Sequence, residues 1–144
     1  MRPVSIVHER PRVTPEAEPF WTAAAGGELR LPSCPACEAW LWFPRATCPT
    51  CGGDVEWRAA SGLATLTSFT VERRATDPRW RDRVPYVIGY VTLDEGVVLL
   101  SDIVGAEPGE LGIGTRLRVR FEPTDDPAIA VPVFEPFDEG SPHA

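Results

Sequence analysis

The chain has no lysine, only two histidines, and no apolar run long enough to span a membrane. A membrane-spanning helix needs roughly 18 largely apolar residues. The first ten residues contain no apolar stretch of the signal-peptide kind. We therefore expect a soluble, cytoplasmic protein. Its 144 residues suffice for one compact core, or for a small module attached to a modest domain.

The scarcity of histidine restricts catalysis. His8 and His143 lie near the two ends of the sequence, so its body contains no imidazole. Serine and cysteine nucleophiles usually need a neighbouring base, most often histidine. The four cysteines are better explained as metal ligands, as argued below, which leaves no free thiol. We therefore predict a chain without catalytic residues of its own, and neither a hydrolase nor an acyltransferase.

The basic residues are fourteen arginines, and the formal net charge is −7. An acidic chain lacks the broad positive field that drives non-specific binding to phosphate backbones. Nucleic acid is therefore a disfavoured partner. Arginine still forms bidentate hydrogen bonds with carboxylates and phosphates, and it stacks on aromatic rings.

The four cysteines form two CxxC motifs, CPAC and CPTC, and are the ligand candidates Cys34, Cys37, Cys48 and Cys51. Each CxxC turn presents two thiolates together, and two facing turns complete a tetrahedral S4 site. Zinc suits this donor set, and iron is the main competitor. Two disulfides are the alternative, but paired CxxC units are typical of metal sites in cytosolic proteins. We predict one structural zinc ion.

Local patterns predict one short helix followed by strands. Thr14-Pro15 supplies an N-cap hydroxyl and a proline at the first helical position, and Gly26-Gly27 ends the helix. Residues 29–31 and 40–43 are expected as the strands that lead into the two CxxC turns of a zinc ribbon. Further β-forming runs lie at 55–60, 63–71, 86–93, 97–104, 116–121 and 129–134.

These patterns predict a mainly β protein with an N-terminal helix, a zinc ribbon and a small closed barrel. The OB-fold is the commonest five-stranded type of such a barrel. We divide the chain into a flexible arm (1–14), helix plus ribbon (15–54), barrel (55–136) and flexible tail (137–144).

Aromatic residues are concentrated in the first third of the chain, at Phe20, Trp21, Trp40, Trp42 and Phe43. Packing of the helix against the ribbon accounts for some of them. On a strand, Trp40 and Trp42 would share one side. Leu41 and Phe43 would share the other, and so thin a module cannot bury both sides. We therefore predict that one pair faces a protein partner.

The order of helix, four-cysteine ribbon and small barrel resembles the DUF35 family, named for a domain of unknown function. The resemblance covers roughly residues 15–136. Its matching stretches are PFW (19–21), CPAC (34–37), PR (44–45), CPTCG (48–52), VPYVIGYVTLDEGVVLLSDIVG (84–105), LGIGTRLRVRFEP (111–123) and VPVF (131–134). One departure is Glu38, where the family usually has glycine, and it leaves the four ligands intact.

The resemblance implies a rubredoxin-like zinc ribbon joined to an OB-fold, and an accessory role. The implied partners are a thiolase-like enzyme, a CoA-thioester aldolase or a MaoC-like hydratase, in lipid, steroid or related acyl-CoA metabolism. Helix and ribbon would dock the partner, and an acyl-CoA would lie beside ribbon and barrel. We accordingly expect zinc and an acyl-CoA as ligands, and neither nucleic acid nor a membrane as partner.

Segment 72–83 carries five arginines and Trp80 against three acidic residues. It fits a clamp for CoA phosphates, a charged docking loop, or an ordinary solvated loop. Between a phosphate clamp and an ordinary solvated loop, we favour the solvated loop. If the segment is functional, we favour docking through Arg73, Arg74 and Trp80.

Two other functions stay open at this point. A zinc-ribbon OB module that binds single-stranded nucleic acid would use a basic groove with stacking aromatics. A rubredoxin-like electron carrier would hold iron in the four-cysteine site. The net negative charge of the chain counts against nucleic-acid binding. The identity of the bound metal, zinc or iron, decides whether the chain is an electron carrier.

Overall fold

The computed structural model describes residues 8–138 and is mainly β. The predictions for residues 1–7 of the arm, for 139–144 of the tail and for His143 lie outside the described residues. The described chain forms two compact units, 8–61 with 120–132 and 62–119 with 133–138. Its elements are α1 (Glu18–Ala25), β1 (Arg30–Ser33), β2 (Glu56–Ala59), β3 (Leu63–Glu72), β4 (Tyr86–Leu93), β5 (Val98–Ile103), β6 (Arg116–Pro123) and β7 (Ala130–Pro136).

The predicted helix is present as α1, preceded by one 3-10 turn at Pro15–Ala17. Phe20 and Ala24, four residues apart, form its buried face. The helix ends where the N–H groups of Gly26 and Gly27 reach the carbonyls of Ala23 and Ala24, each at 3.0 Å. No helix in the described part of the chain has the length and apolar character needed to cross a membrane.

Strands β1 and β2 form an antiparallel pair, with Pro32 opposite Trp57. Leu31, Pro32 and Ser33 are fully buried there. The strand predicted at 40–43 is wrong beyond its first residue, because only Trp40 forms a bridge, to Ser33. The chain then bends at Trp42 and Phe43. Pro44 follows at once, and proline has no N–H with which to continue a ladder.

The other five strands close into a barrel in the order β3-β4-β5-β7-β6. Strand β3 pairs antiparallel with β4 and β6, and β4 pairs antiparallel with β5, whereas β5 and β7 run parallel at Ile103 and Phe134. This is the five-stranded OB-fold, so the predicted fold class is confirmed. The largest fully buried side chains inside it are Leu66, Val91, Leu93, Leu117, Val133 and Phe134.

Gly89 lies in the middle of β4 and faces the barrel interior. A Cβ at this position would stand 2.8 Å from Leu66 Cδ1 and 3.1 Å from both Ile103 Cγ1 and the Ser68 carbonyl oxygen. The interior therefore has no space for one more methyl group. The register of β3 against β4 also shifts between Leu66 and Ser68, beside this point.

We therefore expect Gly89→Ala to lower the free energy of unfolding by about 1–3 kcal/mol, because it overpacks the barrel. Urea denaturation measures the difference. Gly109→Ala is the matched control, since a Cβ there meets nothing within 4 Å. Equal stability of the two variants would contradict this packing argument.

His8 links the start of the described chain to the C-terminal end of strand β6. Its N–H donates to the Pro123 carbonyl at 3.0 Å, and its Nε2 lies 2.8 Å from Glu122 Oε1. Arg120 Nη2 donates to the other oxygen of the same carboxylate at 2.7 Å. Burial acts to raise the pKa of Glu122, but the hydrogen bonds from His8 and Arg120 outweigh it and lower that pKa.

Glu122→Gln is expected to lower the free energy of unfolding by about 1–3 kcal/mol above pH 5. A carboxyl whose pKa falls on folding stabilises the protein above its unfolded pKa, about 4.3 for glutamate. The difference between wild type and variant should therefore shrink as the pH falls through the lowered pKa of Glu122. Urea titrations between pH 3 and pH 7 measure it, with exposed Glu107→Gln as control. A stability difference between wild type and Glu122→Gln that does not change with pH would refute the lowered pKa of Glu122.

Candidate metal centre and aromatic surface

The four cysteines come together in one cluster, with all four sulfur atoms within 4.8 Å of one another. Cys34 Sγ lies 3.4 Å from Cys51 Sγ, and Cys37 Sγ lies 3.6 Å from Cys48 Sγ. None of the four forms a disulfide. The nearest pairs therefore join the first CxxC turn to the second, as in a shared site.

Both CxxC turns are held by backbone hydrogen bonds. The Cys34 N–H donates to the Ala39 carbonyl at 2.8 Å, and the Cys48 N–H donates to the Gly53 carbonyl at 2.9 Å. Gly53 runs close beneath the sulfurs, since a Cβ on it would lie 3.3 Å from Cys51 Sγ. Cys34 and Cys48 are buried, whereas Cys37 and Cys51 are exposed.

The cluster fits a zinc ion. A tetrahedral site with Zn–S bonds of about 2.3 Å needs sulfur atoms about 3.8 Å apart, close to the cross-turn distances above. Backbone N–H groups of Cys51 and Thr50 lower the pKa of Cys48 to about 6, whereas the neighbouring thiols raise the pKa of Cys37 and Cys51. Cys48 is thus the first thiolate, and a bound cation would favour the others. The four cysteines therefore support one structural zinc, which they would hold as a closed S4 set.

Glu38 lies directly after the first CxxC turn with φ of 59°, the left-handed region, and is the non-glycine residue with positive φ in the described chain. This conformation costs a non-glycine residue roughly 1–2 kcal/mol. The turn thus keeps its shape with glutamate in place, at an energetic cost that glycine would avoid.

We expect Glu38→Gly to raise the free energy of unfolding by up to about 1 kcal/mol, since relief of the left-handed strain exceeds the added entropy of glycine in the unfolded chain. Thermal unfolding of the metal-loaded protein measures this. Ala39→Gly is the control and should destabilise, because Ala39 has no positive φ to relieve. Destabilisation by both glycines alike would contradict the argument.

Aromatic rings form a continuous row from the helix to the surface, which we call the aromatic row: Trp21, Phe20, Trp42 and Phe43. Successive ring centroids lie 4.9, 5.1 and 5.9 Å apart. Phe20 is buried at 5% exposure, whereas Phe43 is 69% exposed. The row therefore joins a buried anchor to an open aromatic surface.

The alternation expected for residues 40–43 is wrong, because these residues do not form a continuous strand. Leu41 is buried at 8% exposure while Phe43 is exposed, so the two do not share a side. Trp40 is half-buried, and the Arg58 guanidinium lies over its ring at 4.6 Å. Phe43 is thus the exposed aromatic residue of this segment, whereas Trp42 is half-buried and Trp40 is covered by the protein's own arginine.

The arginine-rich segment 72–83 contains a 3-10 helix at Pro78–Arg83, capped by the Asp77 carboxylate, which accepts from the Arg79 N–H at 2.9 Å. The Arg79 side chain also pairs with Asp77 and lowers the pKa of that carboxyl to about 2. Trp80 packs on Tyr86 at 4.8 Å, and Arg83 lies over the Trp80 ring at 4.8 Å. Arg73 and Arg74 are exposed. The segment is ordered by its own contacts, and its role stays a prediction.

An apolar surface on the barrel was not anticipated from the sequence. Tyr90 on β4 lies opposite Leu100 on β5, and the two side chains are 50% and 62% exposed. Val98, 47% exposed, lies two residues from Leu100 on the same outward face. Pairing the predicted strands across the turn at 94–96 would have shown this face.

The chain matches two family models. Residues 21–57 match the model described as ChsH2, rubredoxin-like zinc ribbon domain. Residues 57–122 match the model described as ChsH2, C-terminal OB-fold domain. These two segments contain the metal cluster and most of the barrel.

Similar proteins include subunits of enzyme complexes. The chain is 30% identical over 128 residues to a probable enoyl-CoA hydratase alpha subunit of Thermomonospora curvata, an alignment that covers 88% of this chain but 39% of that subunit. It is 34% identical over 84 residues to a DUF35 domain-containing scaffold protein of Methanothermobacter thermautotrophicus, over 56% of this chain and 62% of that protein. The chain thus spans less than two thirds of either relative.

A solved structure, described as Ltp2-ChsH2(DUF35) aldolase, superposes on the chain with a TM-score of 0.79 at 30% sequence identity. The match covers 88% of this chain and 98% of that one. Helix, ribbon and barrel therefore recur together in a protein whose description names an aldolase.

Proposed function

This chain belongs to the DUF35 family, and we propose that it is a non-catalytic accessory subunit that docks onto and stabilises an enzyme acting on CoA thioesters. The similar proteins support this role, because one is named a scaffold protein, one a hydratase alpha subunit, and one part of an aldolase. The partner we propose is a thiolase-like enzyme, a CoA-thioester aldolase or a MaoC-like hydratase.

The exposure of Phe43 at the end of the aromatic row carries the proposal. Phe43 is 69% exposed, and exposed apolar side chains that join into one patch, as Phe43 does with Trp42, mark interaction surfaces. Large aromatic residues are the common anchors of protein interfaces. Trp42 stacks on Phe43 with an interplanar angle of 28°, so the exposed ring is already positioned before docking. The metal site holds the two CxxC turns on either side of these residues, which gives zinc a structural role in docking.

The described residues offer neither a thiol outside the metal cluster nor an imidazole without a partner. The four thiols point into one cluster, and His8 is hydrogen-bonded to Glu122. We therefore assign the chemistry to the partner. An acyl-CoA ligand, in lipid, steroid or related acyl-CoA metabolism, is the finer part of the proposal, and it is supported by the CoA thioester in the hydratase subunit's name.

Nucleic-acid binding is the less favoured alternative because the barrel arginines are paired with acids. Arg116 contacts Asp94 at 2.9 Å, and Arg118 contacts Glu135 at 3.0 Å. A groove for phosphates would need such charges unpaired. An iron electron carrier is the other alternative. Elemental analysis that finds zinc excludes it, and thiolate-to-iron absorption would establish it.

The proposal is tested by co-expressing the chain with the enzyme genes beside it and purifying the complex. A stable complex with an aldolase or hydratase, and loss of that enzyme's activity or solubility without the chain, is the expected result. Full activity of the enzyme alone would refute the accessory role. Calorimetric titration of the complex and of the isolated chain with acetyl-CoA then tests the ligand separately.

A further inference from the structure

A groove runs between one face of α1 and the two-stranded sheet, with a volume of about 610 Å³. The helix contributes Glu18, Pro19 and Ala23, which lie on the side away from the buried Phe20 and Ala24. Arg30 and Trp57 form the sheet wall. They share a face because Arg30 is two residues from Pro32, and Pro32 lies opposite Trp57.

Not every charged side chain that lines the groove has an oppositely charged partner. Arg30 Nε pairs with the Glu28 carboxylate, so these two charges neutralise each other. Glu18 is exposed on the helix wall, and its carboxylate has no hydrogen bond or ion pair in the described chain. The groove therefore presents one uncompensated carboxylate, which attracts a cation.

Trp57 is the second recognition element. The other four tryptophans each contact a ring or an arginine: Trp21, Trp42 and Trp80 lie against other rings, and Trp40 lies under Arg58. Trp57, half-buried in the groove wall, has neither kind of partner among the described residues. An aromatic ring and a carboxylate that line the same groove suit a guanidinium, which can stack on the ring and donate to the carboxylate.

We infer that this groove receives an arginine side chain from the enzyme subunit, stacked on Trp57 and hydrogen-bonded to Glu18. The inference rests on the proposed docking role and adds a polar contact that selects a basic segment of the partner. Arginine fits better than lysine, because its planar group can contact ring and carboxylate together.

Affinity for the purified, identified partner tests the inference. Glu18→Gln is expected to weaken the complex about tenfold, and Glu18→Lys about a hundredfold, because the reversed charge repels the guanidinium. Glu16→Gln is the matched control, since Glu16 is exposed in the preceding turn and does not line the groove. The loss caused by Glu18→Lys should shrink as salt rises. Equal affinity of the Glu16 and Glu18 variants would overturn the inference.

A photo-crosslinker in place of Trp57 identifies the occupant. Crosslinked peptides of the partner that contain an arginine next to the crosslinked position would support the inference, and crosslinks confined to segments without a basic residue would overturn it. If Phe43→Asp abolishes the complex while the Glu18 variants bind normally, the groove inference fails and the docking role stands. If wild type binds no such enzyme, both fail.

Discussion

Cys48→Ser is expected to lose the metal and unfold the ribbon. Structural zinc contributes on the order of 10 kcal/mol of apparent binding energy, because the site does not exist in the unfolded chain. Cys48 is the buried thiol whose pKa two backbone N–H groups lower, so a serine hydroxyl cannot replace it as an anionic ligand. The ribbon has few buried apolar side chains with which to compensate: Leu29, Leu31 and Leu41.

Zinc content per chain and backbone NMR spectra of residues 29–59 measure this effect. Thr50→Ala is the control, because it lies in the same turn and its backbone N–H to Cys48 is unchanged. We expect full zinc and wild-type spectra for Thr50→Ala, and less than one tenth of the zinc for Cys48→Ser, because three remaining thiolates no longer form the closed site on which folding of the ribbon depends. A Cys48→Ser protein with wild-type metal content and spectra would contradict the structural role.

Phe43→Asp is expected to weaken the enzyme complex about 30- to 100-fold and to leave the chain's own stability nearly unchanged. Interface anchors commonly contribute 2 kcal/mol or more, and 1.4 kcal/mol corresponds to tenfold. Because Phe43 is 69% exposed, a carboxylate in its place stays in water when the chain is alone. In the complex the same carboxylate would be buried without a partner.

Ile113→Asp is the matched control for this experiment, since Ile113 is 76% exposed on a loop of the other unit. Calorimetric titration against the purified enzyme compares the two variants, and urea denaturation of each alone checks stability. Equal weakening by both variants would show that Phe43 has no special place in the interface.

Local sequence patterns predicted much of the fold. Strand β4 is a run rich in β-branched and aromatic residues and was predicted with its observed bounds, Tyr86–Leu93. The two CxxC spacings predicted a four-sulfur cluster, which the structure brings together. In both cases the residues that determine the structure are close together in the sequence, so local backbone geometry suffices to predict it.

Contacts between distant segments were not predictable in the same way. The bond between His8 and Glu122 joins residues 114 positions apart, and no local pattern indicates it. Trp57 became a groove wall only when β2 paired with β1, opposite Pro32. The chain bends at Trp42 and Phe43, where the layout of a zinc ribbon had predicted a strand. Pairing register and tertiary contact determine such features, and a single sequence does not show them.

Enzyme binding by zinc-loaded and zinc-stripped chain is the measurement that tests the central claim most directly. We expect tight binding for the zinc-loaded chain, no measurable binding after the metal is removed with a chelator, and recovery when one equivalent of zinc is restored. That result would show that the metal shapes the surface carrying Trp42 and Phe43. Equal affinity of the zinc-free and zinc-loaded chains would contradict the account.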